Sequence, residues 1–471
     1  MSYFAKSSTK ALPIIPLTKD NLSSWCKTQK KEIQHWISET AFEALPGKIC
    51  LIPSLSGRLK KILVGVSSST NMWDCGNLSQ DLPKGIYKFQ HPNPKDAEKW
   101  ALGWVLGSYQ FDQYQKSKST RKAKIFLPKS SSFEPIVEAI FLTRDLINTP
   151  AEDMGPLHLA NAARVLARKH KAKINITIGD NLLKKNYPAI YAVGRAVKTA
   201  NQIPRLIDFK WGQRNHPKLT LVGKGVCFDT GGLDIKTTGG MQLMKKDMGG
   251  AANVLGLAHM IMSAKLPVQL RVLIPAVENN IAGDALRPLD IITSRSGKTI
   301  EIANTDAEGR VILADALTEA CSDSPALIID FATLTGAARV ALGTELPALF
   351  TNSDQFSEII IESGITEQDP LWRLPLWDGY QDKIQGASAD LTNAPEGGYG
   401  GAITAALFLQ EFVEPKTNWA HIDLMAWNLT AKPGRPRGGE AMGIRSIFNA
   451  LQNNSITKTR SDIFASKYSH D

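Results

Sequence analysis

From residue 219 onward the chain repeats one pattern: a short β-rich apolar run, then glycines or small polar residues, then a helical pattern. Four such runs stand out, at 219–222, 268–274, 299–302 and 327–331. Strands alternating with helices build a sheet of mostly parallel neighbours, because each crossover helix returns the next strand in the same direction. In such sheets ligands gather outside the carboxyl ends of the strands. The polar segments that follow these runs are where chemistry is to be sought.

At 471 residues the chain exceeds what one hydrophobic core organises. We expect a smaller N-terminal α/β domain over residues 1–145. A larger C-terminal α/β/α domain over 146–471 would carry a central mixed, mostly parallel sheet. In the first part, 61–66 reads as a buried strand. Residues 97–114 read as a helix, with Trp100, Ala101, Trp104, Val105 and Tyr109 at helical spacing. The stretch 142–150 ends a helical pattern in a proline turn, which places the boundary there.

Several function classes are disfavoured. The start Met1-Ser2-Tyr3-Phe4-Ala5-Lys6 lacks the features of a signal peptide, and no stretch approaches the ~20 apolar residues of a spanning helix. The five cysteines are scattered, with no C-x-x-C pair, which argues against disulfides and thiolate zinc. A cytoplasmic location is the expectation. A P-loop is absent, since Gly297-Lys298-Thr299 has Ile292 where the first glycine belongs. There is no H-E-x-x-H and no G-x-S-x-G elbow. His421 reads as a core histidine. The net charge of +10 leaves nucleic acid possible as a partner without favouring it. The basic run Lys116, Lys118, Arg121, Lys122 and Lys124 reads as a solvated loop.

Three segments remain. Lys224 and Asp229 follow the first run among glycines. Asp247 precedes a small-residue helix, where capping alone would explain it. Asp306 and Glu308 stand in Asn304-Thr305-Asp306-Ala307-Glu308-Gly309-Arg310, two apart, so extended backbone would point both to one side. Capping of the helix beyond would occupy only one of them. If the sheet gathers Asp229, Asp247, Asp306 and Glu308, the four carboxylates repel unless protonated or neutralised. Two divalent cations would balance them, with Lys224 as a neutral amine ligand. Lys236 and Arg310 are left to hold negative charge developing on a reacting carbonyl. Manganese, magnesium and zinc all suit such donors. A two-metal phosphoesterase could use the same groups.

At these residues the chain resembles the leucyl aminopeptidase (cytosol aminopeptidase) family, M17. The segment Asn304 to Arg310 matches its signature, with Val311 where leucine is usual. The spacing of Lys224, Asp229, Lys236, Asp247, Asp306 and Glu308 is similar too, as are stretches at 192–195, 332–337, 371–377 and 400–406. The resemblance implies a metal-dependent exopeptidase that releases N-terminal amino acids through water activated between two metals. Lys224, Asp229, Asp247, Asp306 and Glu308 become ligands, with Asp229 and Glu308 contacting both ions and Asp306 ligating partly through its carbonyl. Lys236 and Arg310 become the catalytic pair, with a bicarbonate at Arg310 as general base. Leu334 offers a backbone contact, and Met244, Thr333 and Gly336 line the pocket for the first side chain. Peptides with a free N-terminus, two manganese or zinc ions (magnesium less so) and a homohexamer follow. An added DNA-binding role, known for some members, is an alternative. Met425 to Trp427 are bulkier than in familiar members, so a leucine preference does not carry over.

Overall fold

A computed structural model describes residues 4, 5, 7–68, 71–116, 123–127 and 133–453. The chain divides into two units, Met1–Phe141 with Leu429–Arg437, and Leu142–Asn428 with Gly438 onward.

The first unit carries a five-stranded sheet in the order Ile49–Pro53, Leu59–Gly65, Leu12–Leu17, Gly85–Phe89, Ala123–Ile125. Only the first pair is antiparallel. The strand read at 61–66 is Leu59–Gly65, buried over its last four residues. The helix read at 97–114 is Pro94–Gly107. It starts earlier because Asn93 caps Lys95 N–H at 3.1 Å, with Pro94 as the first helical residue. It stops earlier because the Ser108 hydroxyl donates to the Val105 carbonyl at 2.6 Å, closing the last turn. Of the basic run, Lys118, Arg121 and Lys122 lie outside the described residues.

The second unit is built on a nine-stranded sheet. Its main path runs Trp372–Arg373, Ala348–Thr351, Asn418–Asp423, Leu327–Ala332, Lys218–Gly223, Gln269–Asn279, Arg205–Trp211, Lys173–Ile178, and Gly225–Asp229 also pairs with Gln269–Asn279. The central neighbours are parallel; Ala348–Thr351 and Arg205–Trp211 bring the antiparallel pairings. All six residues of Leu327–Ala332 are buried, as a strand covered on both faces requires. The helix Gly249–Ser263 lies over one face, and Glu308–Cys321 with Gly401–Gln410 packs on the other. Each aliphatic side chain buried between these layers contributes about 2 kcal/mol.

One expectation fails. The run at 299–302 does not join the central sheet. It forms Thr299–Glu301 in a small three-stranded sheet with Ile291–Thr293 and Leu391–Thr392. The reason is local: Gly297, at φ +89°, turns the chain, and its N–H donates to Ser294 O at 3.0 Å. A hairpin therefore forms before any crossover can. Among the described residues no helix is long and apolar enough to cross a membrane, and all five cysteines are free thiols.

Candidate metal centre and substrate site

The strand Lys218–Gly223 breaks at Lys224 and resumes as Gly225–Asp229, both halves lying along Gln269–Asn279. At the break, Lys224 N–H donates to Phe331 O at 3.0 Å and Ala251 N–H donates to Lys224 O at 2.9 Å. Its side chain runs past Gly309, where an added Cβ would stand 2.7 Å from Lys224 Cε. Glycine in the 304–310 segment is thus the space through which the lysine passes.

Neither capping reading describes the acidic residues. Asp247 lies in a short 3-10 turn, Met244–Met248, and the helix behind it starts after Met248 with no side-chain cap. Asp247 instead accepts from Thr333 Oγ1 at 2.8 Å. The helix expected beyond the 304–310 segment begins inside it, at Glu308, with Ala307 at its cap position and no side-chain cap. Asp306 and Glu308 are not in extended backbone either. Asn304 Oδ1 accepts Asp306 N–H at 2.8 Å and bends the chain into a turn. That turn, rather than strand alternation, brings the two side chains together.

Carboxylate oxygens of Asp229, Asp306 and Glu308 lie within 4.8 Å of one another. Asp247 joins them through Lys224, whose Nζ stands 2.8 Å from Asp247 Oδ2 and 2.9 Å from Glu308 Oε1 and donates to Thr333 O at 3.0 Å. Lys236 Nζ pairs with Asp229 Oδ2 at 2.8 Å and with Asp306. Four carboxylates thus face two ammonium groups, an excess of two negative charges in a site where all but Lys236 and Asp306 are almost fully buried.

The ionisation equilibria register this crowding. Burial, then the neighbouring Asp229, pushes Glu308 up to about 8. Burial, then Asp247, pushes Asp229 up to about 6. Burial works against the charge on Lys224, but Asp247 and Glu308 outweigh it and raise its pKa. Asp229 does the same for Lys236. For Asp247 burial is opposed, and beaten, by Lys224, so its pKa falls.

Arg310 differs from both lysines. It is buried, and its Nε and Nη1 find no acceptor among the described residues. Burial lowers its pKa to about 10. Unpaired buried donors cost about 1–3 kcal/mol each, a cost that an anion at this guanidinium would offset. Of the residues expected to meet the substrate, Met244 opens the 3-10 turn and is half-buried, Thr333 is buried, Leu334 is half-buried, and Gly336 is exposed at the start of the helix Gly336–Leu342. His421 is a core residue, its Nδ1 2.6 Å from Asp330 Oδ1.

Three positions escape a reading of the sequence. Asn279 donates from Nδ2 to Asp229 Oδ1 at 2.9 Å and to Thr305 O at 3.0 Å. Thr305 N–H donates to Asp234 Oδ2 at 2.7 Å, and Asp234 N–H donates to Thr305 Oγ1 at 2.8 Å, a reciprocal tie between the Lys236 loop and the 304–310 segment. Asp423 binds the loop at Leu334 and Thr335. Asn279 and Asp423 are polar residues ending apolar strands, which is the one signal that could have drawn attention to them.

Both units have counterparts among known proteins. The family description "cytosol aminopeptidase family, catalytic domain" matches residues 141–448, and "M17 aminopeptidase, N-terminal domain" matches 12–128. A probable cytosol aminopeptidase of Syntrophotalea carbinolica is 36% identical over 455 residues, 88% of this chain and 90% of the relative. One from Geobacter sp. is 40% identical over 378 residues, 76% of each. The crystal structure of cytosol aminopeptidase from Coxiella burnetii superposes with a TM-score of 0.92 at 51% identity, covering 96% of this chain and 99% of that one. The bottromycin maturation enzyme BotP in complex with Mn gives 0.84 at 30% identity, covering 94% and 99%. With both units matched and a relative aligned over nearly its whole length, the chain belongs to the cytosol aminopeptidase family, M17, and is a peptidase hydrolase.

Proposed function

We propose that the chain is a two-metal exopeptidase that removes N-terminal amino acids from peptides bearing a free amine. The observation that carries this reading is the excess of carboxylate over ammonium in a buried cluster, with Asp229, Asp306 and Glu308 close enough to share an ion. Oxygen donors with one lysine nitrogen fit divalent manganese, zinc or magnesium, and with Lys224 ligating as a neutral amine two such ions set four positive charges against the four carboxylates. The complex of BotP with Mn supports manganese among them. Lys224, Asp229, Asp247, Asp306 and Glu308 would hold the ions. Bound there, divalent cations polarise a carbonyl and lower the pKa of water to near neutrality.

The chain's own groups do the rest. Lys236, held by Asp229 and Asp306, donates to the oxygen on which negative charge develops as the scissile carbonyl becomes tetrahedral. Arg310 offers Nε and Nη1 to an anion, for which bicarbonate has the matching planar oxygens and can act as general base. Met244, Thr333 and Gly336 line the space for the first side chain, and Leu334 contributes a backbone acceptor to the substrate. A cytoplasmic homohexamer is part of the proposal and rests on family membership; light scattering of the purified chain tests the assembly.

Exhaustive chelation should abolish release of p-nitroaniline from leucine p-nitroanilide, and manganese or zinc should restore it. Turnover that survives chelation refutes the metal reading. N-acetylation of the substrate should block cleavage; hydrolysis at the rate of the free amine refutes the exopeptidase reading.

A further inference from the structure

The loop after Leu327–Ala332 is tied on two sides. Leu334 N–H donates to Asp423 Oδ1 at 3.0 Å. Thr335 N–H donates to the same carboxylate at 3.2 and 3.1 Å, and Thr335 Oγ1 donates to Oδ2 at 2.6 Å. Asp423 ends the strand Asn418–Asp423 and is 2% exposed, so this latch is shielded from water. On the other side, Thr333 O accepts Lys224 Nζ at 3.0 Å, and Thr333 Oγ1 donates to Asp247 Oδ1 at 2.8 Å.

Peptide planarity turns these bonds into an orientation. In a trans peptide the C=O and the following N–H point in opposite directions. Leu334 N–H points to Asp423, and Thr333 C=O, in the same peptide, reaches Lys224. The side away from Asp423 is therefore the side of the carboxylate cluster. Thr335 N–H also points to Asp423, so Leu334 C=O turns toward that same side. No donor takes Leu334 O among the described residues, and Leu334 is half-buried.

We infer that Asp423 is a positioning residue for the aminopeptidase reaction: by capturing two consecutive N–H groups it aims the Leu334 carbonyl at the substrate as a hydrogen-bond acceptor. This rests on the proposed function, in which Leu334 meets the substrate. Asp423 itself touches neither substrate nor ion. Its geometry matters because a neutral isostere presents one acceptor and one donor where three donors converge.

The test compares the full-length wild type with Asp423→Asn, both loaded with Mn2+, on leucine p-nitroanilide. A misaimed carbonyl weakens binding and misplaces the amide, so KM should rise about tenfold while kcat falls, the scale of one charge-assisted hydrogen bond. A purely structural role would shrink the active fraction, lowering kcat and leaving KM alone. A KM within about twofold of wild type overturns the inference whatever kcat does. Thr335→Val keeps both N–H bonds to Asp423 and removes the hydroxyl's bond to Asp423 together with its cap on Ala338 N–H; it should raise KM by about threefold and carries the test if Asp423→Asn does not fold. Hydrogen exchange gives a readout independent of turnover: amides at 334–338 should exchange at least about tenfold faster in Asp423→Asn. If the wild type cleaves no aminoacyl amide, the proposed function falls. Exchange then judges the latch alone, and unchanged rates overturn it too.

Discussion

The central sheet carries a charged cluster at each end, and the two obey different rules. At the end where the parallel strands begin, Arg271 donates from Nε to Asp208 Oδ1 at 3.1 Å and from Nη2 to Oδ2 at 2.7 Å. It also reaches Glu319 Oε1 at 2.5 Å and Asp323 Oδ2 at 3.0 Å. Arg295 pairs with Glu319 at 2.5 Å and Lys210 with Asp323 at 2.7 Å. Three cations face three carboxylates, and the bidentate geometry is what a guanidinium holds best. Those partners raise the pKa of Arg271 in spite of its burial. At the end where the strands stop, four carboxylates face two lysines, and two donors of Arg310 meet no acceptor among the described residues. A balanced network ties elements together. An unbalanced one, kept buried, is a receptor for the charges it lacks, and that difference separates architecture from site within a single sheet.

Breaking each end should give opposite phenotypes. The largest effect on activity is expected from Asp306→Ala, a loss of roughly 10³-fold or more in kcat/KM with little change in thermal unfolding. A variant that keeps a tenth of wild-type activity would remove Asp306 from the reaction. Arg310→Met comes next, with a loss of about 10²-fold in kcat, because the anion's seat disappears while the carboxylates stay. Added bicarbonate should stimulate the wild type and leave this variant unchanged.

Proton linkage sharpens the contrast further. Glu308 is pushed up to about 8 by burial and its neighbours, and Lys224 holds its proton more tightly than a free lysine. Below those pKa values both carry protons that a cation must displace. Metal affinity should therefore rise between pH 6 and pH 8.5, with proton release on binding that calorimetry in buffers of different ionisation enthalpy can count. A pH-independent affinity would contradict the cluster's electrostatics. The smallest effect on turnover belongs to the other end. Arg271→Met should cost about 3 kcal/mol of stability by stranding the buried Glu319 beside the partly exposed Asp208, yet leave KM and kcat of the folded protein near wild type. A large change in KM would mean that the two ends are not separable in this way.

How far the residues themselves foretold this can be read from particular elements. The runs at 219–222, 268–274 and 327–331 became central strands because continuous apolar stretches are stable only between two layers, a pattern visible in one dimension. The run at 299–302 looks the same in one dimension, but the turn at Gly297 folds it back on Ile291–Thr293 before it can reach the large sheet. Asp247, Asp306 and Glu308 resembled helix caps because capping is a local property, and the sequence near each one permits it. Only the packed chain sends Lys224 past Gly309 to reach both Asp247 and Glu308.

The sequence by itself determined the alternation of strands and helices and the identity of the acidic, lysine and arginine residues. It also carried the spacing by which the family is known. These follow from side-chain chemistry and periodicity, which act over a few residues. The tertiary structure decided which carboxylates share a site, which arginine is balanced and which is left open, and which way the Leu334 carbonyl faces. Those outcomes depend on groups distant in the chain: Asp229 and Asp306, Thr333 and Asp247, Leu334 and Asp423. Such distances close only when the buried layers come together, and no local preference encodes them.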